Sequence, residues 1–244
     1  ASATDYDRWV DEGATGWGFK DIQKYFLRSE GNTILSGGWH GTDGPLGVSN
    51  TPDPNPLSRA FVQSCQELGM PYNPDFNGPA QEGVGLYQVT QFHSGPRKGE
   101  RCSAAAAYLH PALTRPNLTV LTRTRAEKIT FYGQRATGAI VKRGLTRRAL
   151  TARHEVIVAQ GTFGSPQLLM LSGIGPAALL QGVGVEVQHD LPGVGANLQD
   201  HLQIRSVYKV KGAKTLNTLA NSLWGKAMIG MEYAFKRSGP MSMA

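Results

Sequence analysis

Few groups in these 244 residues could bind phosphate, hold a metal or carry an acyl group. Gly173-Ile174-Gly175-Pro176-Ala177-Ala178 fits G-x-G-x-x-A, with Asp190 downstream at a distance suited to a ribose contact. A dinucleotide fingerprint must follow a strand and open a helix, because its glycines bring a pyrophosphate onto the helix N-terminus. Here a predicted helix, Ser165 to Leu171, precedes the glycines and Pro176 begins the next one, so the match reads as punctuation between helices. Nucleophilic hydrolysis needs an activated Ser or Cys, and no G-x-S-x-G elbow is present. Ser165 and Ser172 stand at the two ends of one predicted helix, where capping accounts for both. The six histidines (His40, His93, His110, His154, His189 and His201) show no H-E-x-x-H or other helical metal spacing, so each reads as structural or surface. Cys65 and Cys102 form no C-x-x-C, which leaves neither a disulfide framework nor a zinc-cysteine site. No metal site and no catalytic residue is predicted.

The informative segment is Gly161 to Gly175 (GTFGSPQLLMLSGIG). It follows Val156-Ile157-Val158-Ala159, which is apolar on both faces as expected of a strand buried in a layered sheet. Gly161 to Ser165 then turns into a helix with Ser165 as N-cap and Pro166 in the first position. Small residues in such a turn remove side-chain obstruction, and the helix terminus supplies donors, so a flat or anionic ligand can approach the backbone. A plain packing turn between strand and helix has the same local sequence.

Other elements follow from periodicity and turn residues. Helices are predicted over Asp21 to Ser29, over Leu57 to Leu68 with Leu57, Phe61, Cys65 and Leu68 on one face, and after Ser103 up to Pro111. Strands are predicted near Leu46 to Ser49, Tyr87 to Phe92, Leu118 to Thr122, Lys128 to Tyr132, Ala136 to Lys142, Ala149 to Arg153 and Ile204 to Val210. A long helix is expected over Leu216 to Phe235, weakest at Gly225 and Gly230. Composition is that of an ordinary globular chain, 40% hydrophobic and 18% charged, with a net charge of +7. Part of that excess lies in Arg135, Lys142, Arg143, Arg147, Arg148 and Arg153, which read as a solvated hairpin because no nucleic-acid motif accompanies them. No apolar run approaches the ~18 residues of a membrane helix, and no basic-then-apolar signal segment is present, so the expected location is cytoplasmic.

Beyond these local features, Gly161 to Gly175 resembles the second signature of the glucose-methanol-choline (GMC) flavoprotein oxidoreductases. Further blocks resemble the same family in order: Gly16-Trp17-Gly18-Phe19, His40-Gly41-Thr42-Asp43-Gly44-Pro45-Leu46, Asp75-Phe76-Asn77-Gly78, Glu82-Gly83-Val84-Gly85, Arg101-Cys102-Ser103-Ala104-Ala105, and the run from Leu191 to His201. The similarity leans toward bacterial choline-dehydrogenase-like alcohol dehydrogenases. It implies a mixed α/β fold, in which part of a Rossmann-type FAD domain is interleaved with part of an antiparallel-sheet substrate domain. The implied division is residues 1–36 associated with the FAD domain, 37–95 in the substrate domain, 96–203 in the FAD domain and 204–244 in the substrate domain. The cofactor it implies is FAD, and the reaction is oxidation of a small primary alcohol by hydride transfer to the flavin.

Residue by residue, the resemblance assigns Ala126 to a strand whose backbone contacts the adenine, in place of a more usual valine, and Gly161 and Thr162 to a turn beside the cofactor. Gln160 stands where a small residue is customary. The family's glycine-rich diphosphate loop and its catalytic histidine segment match nothing in this sequence, and both chain ends read as cuts through something larger. The expectation is therefore a central fragment that does not oxidise alcohols alone, since a base is required. Val156 to Ala159 would then need covering by a second copy or a complementing chain. Two alternative readings are a serine-type hydrolase and a noncatalytic oligomerising module.

Overall fold

The computed structural model describes residues 2–242 and divides into two compact units, one running to Leu118 and resuming at Tyr208, the other spanning Thr119–Val207. In the first unit, α1 (Ala3–Asp11) leads to α2 (Phe19–Ser29). Asp7 Oδ1 of α1 accepts the Phe19 amide at 2.9 Å and so fixes the start of α2. Helix α2 carries Asp21 in its first turn and Arg28 in its last, each suited to the helix dipole there. It runs directly into β1 (Glu30–Asn32), which pairs in parallel with β2 (Leu46–Asn50). Between them Gly31, Gly41 and Gly44 are packed against backbone so closely that a Cβ at any of the three would meet a carbonyl. Helix α3 (Pro56–Glu67) is capped by Asn55, whose side chain accepts the Leu57 amide, and ends before Gly69 at φ +88°. The buried residue is Val62, which lies off the predicted face, while Phe61 and Leu68 of that face are exposed.

Strand β3 (Gln88–Thr90) closes the first sheet antiparallel to β2. The alanine-rich helix appears as a π-turn, Ala105–Leu109, continued by α4 (His110–Ala112). Ser103 Oγ accepts the Ala106 amide as expected of a cap, but the helix passes through Pro111 rather than ending there.

The second unit is built on an antiparallel meander of β4 (Arg125–Tyr132), β5 (Arg135–Arg143) and β6 (Thr146–Thr151). The turn at Gly133-Gln134 joins the first pair, and Ile129 and Val141 are buried. The chain then folds into α5 (Gly161–Leu171), β7 (Ile174–Gly175), α6 (Ala177–Gly182) and β8 (His189–Asp190), with β7 and β8 parallel. Leu168 and Leu180 supply the buried apolar contacts of this part. In the first unit the chain ends in α7 (Leu216–Ala220) and α8 (Leu223–Lys236).

Further sequence expectations need correction. Val156 to Ala159 is not a strand, and Ile157 is 79% exposed; a parallel strand exists only when neighbours accept its hydrogen bonds, and among the described residues no strand lies beside it. Leu118 to Thr122 and Ile204 to Val210 are irregular for the same reason. The helix expected from Ser165 begins at Gly161, with Gln160 as N-cap and Pro166 inside it. The long terminal helix is two helices, broken where Ser222 caps α8 by accepting the Gly225 amide, not at the glycines.

Candidate functional site

Strand β4 carries two irregularities of register, one of them between Ala126 and Lys128. Such a bulge re-aims backbone and strengthens twist. Arg123, just before β4, is held at φ +54°, a left-handed conformation that bulky residues seldom adopt. Beside these features lies a shallow hollow, largely open to solvent, lined by Arg123, Thr124, Arg125, Ala126, Lys142 and Gln160. The fold thus brings Ala126 and the residue preceding Gly161 to one concavity, although they lie far apart in sequence.

Gly161 has φ +77°, and a Cβ placed on it would meet nothing within 4 Å, so its backbone is open to approach. Gly161 and Thr162 are exposed at the start of α5, where the first-turn amides of a helix lack intrahelical acceptors. Ser165 Oγ accepts the Gln160 amide at 3.0 Å, so Ser165 secures the N-cap from inside the helix. The Gln160 side chain lies over Gly164: a Cβ there would come within 2.8 Å of the Gln160 Cβ. A glycine at 164 therefore gives Gln160 room along its own helix.

Charge around the hollow is mostly positive. Arg125, Lys142 and Arg147 form one cross-strand row, because Arg125 pairs with Lys142 and Lys142 with Arg147. Glu127 bridges two of them, accepting from Arg147 at 2.7 Å and Arg125 at 3.1 Å. The Arg147 hydrogen bond is the main influence holding the Glu127 carboxyl below the usual carboxylate range, and that pair also raises Arg147. Lys142 is left to face the hollow, as does Arg123.

Ser172, Asp190 and the histidines are each accounted for separately. Ser172 is fully buried; its Oγ donates to the Leu168 carbonyl at 2.6 Å and accepts the Ile129 amide at 2.8 Å, so it is committed to structure. Asp190 Oδ1 accepts the Ala177 amide and caps α6, while Gly173 follows a helix, which removes any dinucleotide role for that glycine pair. His93, His110, His154, His189 and His201 are exposed. His40 alone is buried, with Nδ1 3.0 Å from Glu30 Oε1 and Nε2 2.9 Å from Asp75 Oδ2. Sequence reading missed this trio, because its members belong to three separate loops or strands; the only local sign was a histidine inside a glycine-rich turn. Among the described residues no cluster of His, Cys, Asp or Glu is arranged to hold a metal ion.

The architecture is that of flavin-dependent oxidoreductases. A FAD-dependent oxidoreductase from Chaetomium thermophilum superposes with a TM-score of 0.85 at 27% identity, over 99% of this chain and 44% of its own. Pyridoxine 4-oxidase from Mesorbium loti gives a TM-score of 0.69 at 31% identity, over 78% of this chain and 37% of its own. A sequence profile of the GMC oxidoreductases matches residues 1–203, and the chain belongs to that family. Over 237 residues it is 45% identical to the oxygen-dependent choline dehydrogenase of Brucella anthropi, which covers 97% of this chain and 42% of that relative. The chain thus spans about two-fifths of the length of the curated relatives it matches. No helix among the described residues is long and apolar enough to cross a membrane.

Proposed function

We propose that this chain forms part of a FAD-dependent oxidoreductase acting on a small primary alcohol, and that the hollow beside Ala126 receives the adenosine-diphosphate half of the cofactor. One observation carries the reading: Ala126 and Gln160, the residue before Gly161, share a concavity with Arg123 and Lys142. The residues suit such a group. A flat base can lie on strand backbone where the side chain is only a methyl, cations favour the phosphates, and nothing stands over Gly161. When bound, FAD supplies the hydride acceptor for alcohol oxidation.

This chain's residues then bind and orient. Ala126 presents main chain to the ring, Arg123 and Lys142 offset negative charge, and Gly161 with Thr162 lines the approach at the head of α5. Deprotonation of an alcohol needs a base within hydrogen-bond reach. The one buried histidine, His40, has both ring nitrogens engaged by carboxylates, so these 244 residues are not expected to turn over alcohols unaided. The hydrolase alternative has little to stand on, because Ser172 is buried and doubly hydrogen-bonded and Ser165 holds a helix cap.

The test is a titration of the full chain with FAD followed by flavin fluorescence, with ADP as competitor. ADP should displace the cofactor, and the Arg123→Gln/Lys142→Gln double variant should weaken binding by roughly three- to tenfold with a shallower salt dependence. Binding that ADP does not compete, or that ignores the loss of both cations, would sink the reading of the hollow, while alcohol oxidation by the chain alone would overturn the expectation that it needs a base from elsewhere.

A further inference from the structure

His40 sits at the centre of a buried polar cluster in the first unit. Its side chain is 3% exposed, and each ring nitrogen faces a different carboxylate: Nδ1 that of Glu30 in β1, Nε2 that of Asp75 in the loop before β3. A neutral imidazole has one bare nitrogen, whose lone pair would point at a carboxylate oxygen. The doubly protonated ring donates to both carboxylates; Asn32 Nδ2, 3.4 Å from Nδ1, is the other polar neighbour of the ring. The rest of the cluster is consistent with a charged centre. Glu30 also accepts from Asn32 Nδ2 at 2.9 Å and from the Gly41 amide, and Asn32 is tied to Gln88 of β3. Asp75 further accepts the Asn77 amide.

The Asp75 loop is organised from within. Asn73 is buried, its amide donates to the Val84 carbonyl, and its side-chain nitrogen donates to the Ala80 and Glu82 carbonyls. The loop therefore behaves as one piece, with the Asp75–His40 contact as its charged tie to the β1–β2 sheet. Asn77 from the same loop joins Glu30 and His40 in lining a cavity of about 270 Å³ whose other walls include Tyr6, Phe19 and Trp39.

We propose that His40, as an imidazolium held between Glu30 and Asp75, is a latch that fastens the 72–85 loop over this cavity and releases it as pH rises. The charged groups around the ring are few: Glu30 from β1 and Asp75 from the loop touch it, while Arg28 of α2 and Asp43 border the hollow on its other side. Burial is the largest single influence on the ring and opposes its charge, but hydrogen bonds to Asp75 and Glu30, with their charges, outweigh it and raise the pKa above the ordinary value. A folded-state value above the unfolded one means that the latch's contribution is complete below the ordinary imidazole value of about 6.5 and is lost as pH climbs through the raised one. Losing the proton removes the positive charge that attracts both carboxylates. Asp75, on the loop rather than in the sheet, is the partner free to move away, taking Asn77 from the cavity wall.

The experiment is a pH titration of the full chain with histidine side chains labelled with nitrogen-15, together with relaxation of the His40 carbon-bound ring protons by a dissolved paramagnetic agent. The His40 ring should carry protons on both nitrogens at neutral pH and lose one only above the ordinary imidazole range. Its side chain is 3% exposed while the loop is fastened, so paramagnetic relaxation of its ring protons should rise at least severalfold with the same midpoint as the loop departs. Asp75→Asn should lower the midpoint and flatten that pH profile, a result that does not depend on His40→Gln folding. A singly protonated ring at neutral pH, ring shielding that ignores the His40 midpoint, or an Asp75→Asn variant with the parent profile would each overturn the latch.

Discussion

Ser172 Oγ joins the C-terminal end of α5 to the middle of β4, through the Leu168 carbonyl on one side and the Ile129 amide on the other. Both contacts lie in the core, where an amide that loses its acceptor also lacks water. Ser172→Ala should therefore cost about 1–3 kcal/mol, read as a lower urea midpoint with an unchanged slope. A loss below about 0.5 kcal/mol would mean that water or the neighbouring strand satisfies Ile129 instead. Sequence alone placed Ser172 at a helix end, which is correct, but its second partner lies 43 positions away and no local pattern announces it. His40 is the same lesson more sharply drawn: its two carboxylates stand 10 and 35 positions away, so its charge state is a property of the folded chain.

Among the elements, the joint between α7 and α8 offers a paired prediction. Gly225 is buried in the first turn of α8, and a Cβ there would run into the Leu219 carbonyl of α7. Gly230, one and a half turns later, has nothing within 4 Å of its would-be Cβ. Gly225→Ala should force the helices apart and cost about 1–3 kcal/mol, whereas Gly230→Ala should stabilise by roughly 0.5–1 kcal/mol through helix propensity alone. Thermal unfolding monitored by circular dichroism separates the two, and equal effects would contradict the close packing at Gly225. Strands β4 to β6 were legible because hairpin neighbours lie close in sequence and turn residues mark their ends. The strand expected at Val156 to Ala159 was not, because its apolar pattern states a preference for burial while its hydrogen bonds require a partner that periodicity cannot supply.

For the molecule as a whole, apolar exposure is the salient property. In the second unit Ile157 is 79% exposed; on α8 in the first, Leu223 is 87% and Phe235 86% exposed, and Trp224 is exposed as well. Surface of this kind marks contact sites or association-prone faces. We expect concentration-dependent self-association of the chain, read by sedimentation velocity, that lessens when Leu223 and Phe235 are both changed to Ser. A chain that stays monomeric at high concentration would show that these side chains are tolerated in water, which single scattered apolar residues are.

The sequence by itself determined the family, the helix at Asp21 to Ser29, the first hairpin of the meander with its Gly133-Gln134 turn, and the positions of Ala126, Gly161 and Thr162 along the chain. Each of those rests on interactions within a few residues, or on a residue order that needs no coordinates. Tertiary structure alone decided that Ala126 and Gln160 face one hollow, that His40 lies between two acids, and that an apolar run stays irregular in water. Those outcomes depend on which distant groups meet, and a one-dimensional pattern of residue types records what each group wants without recording who is there to provide it.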